Sequence, residues 1–201
     1  MGTEQEAFWK GEFGDEYAKR NVGLVESNTA FFAKILSRTH GIQRVIELGA
    51  GTGQNMVALT RILPNVEVMG VEINESAAMQ IPVGYVFRQS IFDFQPPNYE
   101  LADLAFTKGV LIHVAPDDLP KAYDKLHECS QRYVMVAEYF NPTPVEVEYR
   151  GHTGKLWKRD FAGEMLDRFP DLQIVDYGFA WRRDGFAPQD DITWVLMEKF
   201  E

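Results

Sequence analysis

The stretch VIELGAGTGQNM, Val45 to Met56, opens as a buried strand, passes through three glycines spaced two apart and continues in residues suited to a helix. At the end of a parallel strand, glycines permit a tight turn and let a ligand approach the main chain with no Cβ in the way. The helix that follows aims its unpaired N–H groups at an anionic part of that ligand. A dinucleotide fingerprint reads G-x-G-x-x-G. Here Gly49, Gly51 and Gly53 form G-x-G-x-G and Gln54 takes the sixth place, which weakens a nicotinamide reading. GHTGKL (151–156) fails as a phosphate loop, because its glycine separation is wrong and Leu156 stands where a Ser or Thr should bind magnesium.

Outward from that turn, strand and helix alternate. Apolar runs with strand character are RVIEL (44–48), EVMGVEI (67–73), GYVFRQSI (84–91), ADLAFT (102–107) and RYVMVAEYF (132–140). Segments of helical spacing separate them: NMVALTRIL (55–63), NESAAMQI (74–81) and DLPKAYDKLHECS (118–130). This alternation predicts a parallel sheet covered by helices on both faces. Two further strand-like runs, LQIVDYGFAW (172–181) and DITWVLMEKF (191–200), close the chain, and an amphipathic ESNTAFFAKILSRTH (26–40) precedes the first strand. VEYRGHTGKLWK (147–158) fits neither period.

The chain's 201 residues, 45% hydrophobic and 25% charged, suit one globular domain over 1–201. No apolar run approaches the ~18 residues of a membrane span. The acidic, aromatic start MGTEQEAFWKGEFGDEY lacks the order of a signal peptide, so the expected location is cytoplasmic. A net charge of −10 argues against wrapping a nucleic-acid backbone. The single Cys129 allows no internal disulfide, and the four histidines form no tight ligand cluster, which leaves a metal without support.

The second strand ends in GVEIN, placing Glu72 about 20 residues past the glycine turn, where a carboxylate can accept hydrogen bonds from both ribose hydroxyls of an adenosine. Taken together, the turn and this carboxylate specify an adenosine ligand. VIELGAGTGQN, VMGVEIN, YVFRQSIFDF and LADLAFTKGVLIHV, in this order and spacing, resemble the class I S-adenosylmethionine-dependent methyltransferases. FWKGEFGDEYAKRN and AEYFNPTPVEVEYRGHTGKLWKRDFAGE are similar, more narrowly, to the methylases associated with pseudaminic acid biosynthesis.

The resemblance implies a Rossmann-like, doubly wound α/β fold whose seven-stranded sheet carries helices on both faces, with the last strand antiparallel. It implies an N-terminal helical lid (1–40), a cofactor-binding core (41–140) and an acceptor-side segment (141–201). It puts Gly49, Gly51 and Gly53 under the methionine part of S-adenosyl-L-methionine, Glu47 near the amino end, Glu72 on the ribose, and Thr107 among the cofactor contacts. Ile73 and Ile91 would flank the adenine, and Ser90 stands where the family usually has an acidic residue for the adenine amino group.

Methyl transfer from a sulfonium is an in-line displacement, so the protein mainly aligns an acceptor atom ~3 Å from the methyl carbon. An alcohol acceptor benefits from a base, whereas a neutral amine needs alignment and later proton loss. His113 in KGVLIHV, and Glu138 and Tyr139 in VAEYFNP, stand at strand ends where a base belongs. An unpaired buried carboxylate is expensive, so Glu138 either touches the acceptor or orients a base. The amine-methylating N-P-P-Y is replaced by FTKG, which makes an exocyclic base amine a poor acceptor. At the N-terminus Phe8, Trp9, Phe13 and Tyr17 sit among charges, as in a lid, and Tyr17 and Arg20 can meet the methionine carboxylate; an ordinary packed amphipathic helix is the plainer reading.

YRGHTGKLWKR (149–159) reverses the chain's overall sign, with Arg150, Lys155, Lys158 and Arg159 and no acidic residue. That suggests recruitment of an anionic acceptor, with Arg150 as a planar fork, Lys158 as added charge, Trp157 as a face for a sugar ring and His152 within reach as a base. The alternative is a solvated basic loop anchored by Trp157. The sequence thus points to a methyltransferase acting on a small, anionic, sugar-derived molecule, with oxygen favoured over nitrogen. A cofactor-binding regulatory protein and an adenosine-cofactor oxidoreductase are the competing classes. The oligomeric state is open.

Overall fold

The computed structural model describes residues 2–96 and 101–200. Three helices come first: α1 (Glu4–Lys10), α2 (Glu12–Arg20) and α3 (Val25–Leu36). Thr3 and Glu6 close a capping box on α1, and Gly11 both ends α1 and starts α2. A Cβ at Gly14 would lie 1.8 Å from the Trp9 carbonyl oxygen, so only glycine lets α2 fold back this closely on α1.

Strand and helix then alternate through β1 (Arg44–Leu48), α4 (Gln54–Ile62), β2 (Glu67–Val71), α5 (Glu75–Ala78), β3 (Tyr85–Phe87), β4 (Ala102–Lys108), α6 (Leu119–Glu128) and β5 (Ser130–Glu138). The remainder holds two short strands, β6 (Val145–Glu146) and β7 (Trp157–Lys158), then α7 (Phe161–Arg168), β8 (Leu172–Ala180) and β9 (Ile192–Lys199). The main sheet has the order β3-β2-β1-β4-β5-β9-β8. Only β9 is reversed, antiparallel to both β5 and β8. The expected seven-stranded, doubly wound sheet with a reversed last strand is the one found.

The central strands β1, β2, β4 and β5 are buried on both sides, which is why they read as continuous apolar runs, whereas β8 at the sheet edge leaves Ile174, Tyr177 and Phe179 exposed. Ile46 and Leu48 of β1 enter a core shared with α6 and α7, while Val45, Leu104 and Phe106 enter the other, shared with α3 and α4. Leu119, Ala122, Tyr123 and Leu126 recur at helical spacing and bury one face of α6. Strand order reverses between β1 and β4, so the crevice for a ligand lies at the carboxyl ends of these strands.

Two segments depart from the sequence pattern. The run 84–91 is a strand only over Tyr85–Phe87, because the Ser90 carbonyl then accepts from the Asp93 and Phe94 amides and turns the chain. Residues 145–158 form a small hairpin: β6 pairs with β7, and Tyr149 and His152 bridge across a tip of Arg150 and Gly151. Arg150 sits there at φ 52°, a left-handed conformation that side chains other than glycine rarely adopt.

Candidate functional site

The site begins where β1 runs out. Gly49, Gly51 and Gly53 take φ values of 83°, 54° and 77° to turn the chain into α4. A Cβ at Gly49 would strike Val110 and one at Gly53 would strike Ile81, whereas one at Gly51 would meet nothing within 4 Å. Gly51 therefore leaves backbone bare on the wall of a cavity of about 480 Å³.

Glu72, just past β2, is buried on the same wall. Its Oε2 accepts from the Gly51 amide at 2.7 Å and its Oε1 from the Asn74 amide at 2.7 Å. A carboxylate oxygen has two acceptor sites, so each keeps one for a ligand hydroxyl. Burial raises its pKa above the usual carboxylate range, while the backbone amides of Asn74, Gly51 and Ile73 pull the other way.

Glu47 is 1% exposed, with Oε1 2.5 Å from Asn55 Nδ2 and Oε2 without a partner. Burial pushes its pKa up to about 8, against the Asn55 bond. Such an orphaned acceptor is costly unless a donor completes it. Lys108, at the end of β4, lines the cavity too, and burial depresses the pKa of its ammonium.

Across the cavity the chain forms a 3-10 turn, Leu111–His113. The His113 Nδ1 lies 2.7 Å from the Lys155 carbonyl oxygen. A carbonyl can only accept, so Nδ1 carries the proton and Nε2 keeps its lone pair. Burial lowers the imidazole pKa to about 4, outweighing the Lys155 bond, and the ring stays neutral at physiological pH. Trp9 and Tyr149 close over it at centroid distances of 4.5 and 4.9 Å.

Glu138 is absent from the cavity wall and stands beneath this turn. Its carboxylate accepts from Val110 N at 3.0 and 3.1 Å, Leu111 N at 3.1 Å and Ile112 N at 3.4 Å. Burial raises its pKa to about 7 in opposition to those bonds. The arrangement makes Glu138 a clamp on the segment that carries His113.

Helices α1 and α2 roof the cavity. Gln5 Nε2 donates to Gly154 O at 3.1 Å, and Glu4 pairs with Lys155 at 2.6 Å, tying α1 to the hairpin. Asn74 Nδ2 ties the other side by donating to Asp15 Oδ1 at 2.9 Å and Trp9 O at 3.2 Å. Tyr17, Arg20, Tyr139 and Arg150 complete the rim and walls. Burial raises the phenol pKa values of Tyr17 and Tyr139.

No family model matches the chain, and no curated protein matches it. Solved structures do. Magnesium protoporphyrin IX methyltransferase from Synechocystis, with bound S-adenosylmethionine, is 12% identical, with a TM-score of 0.67 over 100% of this chain and 99% of that one. The 1,6-didemethyltoxoflavin-N1-methyltransferase of Burkholderia thailandensis, bound to its acceptor and S-adenosylhomocysteine, is 12% identical, with a TM-score of 0.70 over 98% and 87%. An S-adenosylmethionine-dependent methyltransferase from Clostridium acetobutylicum is 10% identical, with a TM-score of 0.65 over 93% and 96%. The chain has the Rossmann-like methyltransferase fold.

Within this fold, the cavity wall brings together Glu47, Gly49, Gly51, Glu72, Ile73, Ile91, His113 and Tyr139 with Tyr17, Arg20 and Arg150. The other residues singled out in the sequence lie off that wall. Gly53 packs against Ile81, and Ser90 Oγ accepts from the Phe92 amide. Thr107 is buried below the floor. His152 turns outward to pack on Phe8 and Phe13 at 5.1 and 5.6 Å. Trp157 is buried in β7, and Lys158 lies 5.4 Å from the Tyr139 ring.

Sequence reasoning missed Lys108, Asp190 and Tyr149 as wall residues, whereas it places Trp9 in the lid segment. Only Lys108 had a signal, a charge ending the otherwise apolar run ADLAFTK. Among the described residues, no group of His, Cys, Asp and Glu could hold a metal ion, and no helix is long and apolar enough to cross a membrane.

Proposed function

We propose that this chain is a single-domain S-adenosyl-L-methionine-dependent methyltransferase acting on the hydroxyl of a small, anionic, sugar-derived molecule. The observation that carries the reading is the unpaired, buried Glu47 Oε2 beside bare Gly51 backbone, with Glu72 two residues beyond Gly70, the register partner of Glu47 on β2. An ammonium would complete the unpaired Glu47 Oε2, and ribose hydroxyls would use the lone pairs that the Gly51 and Asn74 amides leave on Glu72, so the residues fit the cofactor. Bound S-adenosylmethionine and S-adenosylhomocysteine in solved structures of the same fold add to the case.

When bound, the cofactor supplies a methyl group on a positively charged sulfur that leaves with the bonding electron pair. The protein's part is to seat the acceptor between that methyl group and His113. Nε2 of His113 takes the hydroxyl proton as the new oxygen–carbon bond forms, and its low pKa suffices because the methylated oxygen is strongly acidic until that proton leaves. Lys155 O holds the tautomer and Glu138 holds the turn. The roof of α1 and α2 keeps water from competing with the acceptor.

Arg150 at the hairpin tip supports an anionic acceptor, since its planar fork suits a carboxylate or phosphate. The similarity of the terminal segments to pseudaminic acid-associated methylases supports a nonulosonic acid or its nucleotide-linked form, methylated in the cytoplasm. The test is incubation of the purified protein and cofactor with such sugar acids, followed by mass spectrometry. Gain of one methyl group is expected. Absence of any methylated product across the set would reject the acceptor class.

A further inference from the structure

Far from the cavity, the free edge of the main sheet is the least protected surface of the fold. β8 ends the strand order, and its nine residues carry a single charge, Asp176. Native sheets blunt such an edge with charges, proline or a cover, because its outward N–H and C=O groups pair readily with another strand. Here the edge is apolar instead. Tyr177 is 70% exposed, and Ile174, Phe179 and Trp181 are about half-exposed. Beside Ile174 and Tyr177 lies a groove of about 330 Å³, lined also by Phe140, Phe161, Leu166 and Val195. A bulge between Ile174 and Asp176 interrupts the ladder with β9, which then runs regularly from Asp176 to Ala180. Past the strand's end a loop carries Phe186, 94% exposed. Asp184 Oδ1 accepts from the Phe186 and Ala187 amides at 2.8 and 3.0 Å, and Gln189 Nε2 donates to the buried Asn28 Oδ1 at 3.1 Å. The loop therefore holds its aromatic ring out in water on a fixed frame.

We propose that this face is the interface of a two-fold dimer of the chain, in which the β8 strands of two copies pair antiparallel and each Phe186 enters the groove of the other copy. A second copy is the occupant that the strand itself specifies. With the two-fold axis on Phe179, Tyr177 stands opposite Trp181 and Asp176 opposite Arg182, and the symmetry makes each match twice. Aromatic meets aromatic, and carboxylate meets guanidinium. Within one copy these charges have only surface partners, Arg38 at 3.7 Å from Asp176 and Asp191 at 3.4 Å from Arg182, and such pairs are weak. The same register carries the residues past the strand's end over Ile174 and Tyr177 of the other copy, where the groove lies. The area is sufficient. At roughly 200 Å² for each large side chain, the exposed parts of Phe140, Ile174, Tyr177, Phe179, Trp181 and Phe186 amount to about 700 Å² per copy, close to the ~800 Å² per partner of a stable interface.

The test is sedimentation velocity of the full chain at about 1–100 µM, a range in which an interface of this size is populated. Wild type should sediment as a dimer. Phe179→Lys sets two ammonium groups against each other on the axis and should leave a monomer with native circular dichroism, since the side chain it replaces is exposed. Phe186→Ser should raise the dimer dissociation constant by about tenfold or more, as loss of an aromatic anchor from an apolar groove predicts. Asp176→Arg and Arg182→Asp should each weaken the dimer by about tenfold, and the two changes in one chain should restore it to within about threefold of wild type, because the exchanged charges again face one another. A wild-type monomer at the highest concentration would overturn the proposal and leave the face to a different protein. A dimer that survives both Phe179→Lys and Phe186→Ser would lie on another surface and would overturn it as well. So would failure of the double exchange to restore a dimer that each single change weakens, because the register would then be wrong.

Discussion

The two ends of the cavity are built in different ways. At the end proposed to hold the cofactor, Glu47, Gly51 and Glu72 come from a single βαβ unit, and the Gly51 amide bonds directly to Glu72. At the end proposed to hold the acceptor, His113 follows β4, Lys155 and Arg150 come from the hairpin, and Trp9 comes from α1. One end is a local turn on a rigid sheet; the other is an assembly of loops and helices distant in sequence. A turn constrains what binds through its backbone, whereas a loop assembly constrains it through side chains that can be exchanged.

The strongest way to break this contrast is at His113. His113→Gln should lower kcat by roughly 10²–10⁴-fold while leaving cofactor affinity near its starting value, as expected for a base used only in the transition state. In wild type, kcat should stay level down to about pH 5 and fall only as His113 protonates near its pKa of about 4. A fall centred near pH 6.5 would assign the proton to a different group. Next comes the cofactor end: Glu72→Gln should weaken S-adenosylhomocysteine by about tenfold to a hundredfold, because charge-assisted bonds to the ribose become neutral ones. Unchanged calorimetric affinity would take Glu72 out of ribose recognition.

A smaller effect is expected at the acceptor rim. Arg150→Ala should raise the acceptor KM by about tenfold at low salt and by less at high salt, with cofactor binding spared. The smallest is a stability effect. The folded pKa of Glu47, about 8, exceeds its unfolded value of 4.5, so its contribution is complete below pH 4.5 and is lost as pH rises through 8. The unliganded protein's Tm should fall across that window, less steeply in Glu47→Gln, with each kcal/mol worth roughly 2–4 °C for a chain of this size. Parallel slopes in the two proteins would show that Glu47 stays ionised.

The contrast also explains what could be read in advance. Strands buried on both faces announce themselves as apolar runs, and the glycine turn with Glu72 is a local pattern, so the fold and the turn that brings Glu72 to the cavity wall were legible. The third strand was overread because nothing in GYVFRQSI signals that the Ser90 carbonyl would gather two amides and turn the chain. Trp9 was read only as part of a lid and Asp190 could not be read at all, since the cavity that joins them exists only after the segments carrying them have packed. Glu138 was ambiguous for a different reason. A buried carboxylate at a strand end demands partners, and sequence alone does not say whether they are ligand atoms or the amides of a neighbouring turn.

Arg150 adds an evolutionary consequence. A non-glycine residue at φ 52° carries a conformational cost of order 1 kcal/mol or more, and its neighbour Gly151 shows what the backbone would accept freely. Random mutagenesis selected only for heat resistance should therefore drift toward glycine or asparagine at position 150. The same library selected for turnover should keep the arginine. With Arg150 in its proposed acceptor-binding role, durability and work are under opposing selection at this hairpin tip.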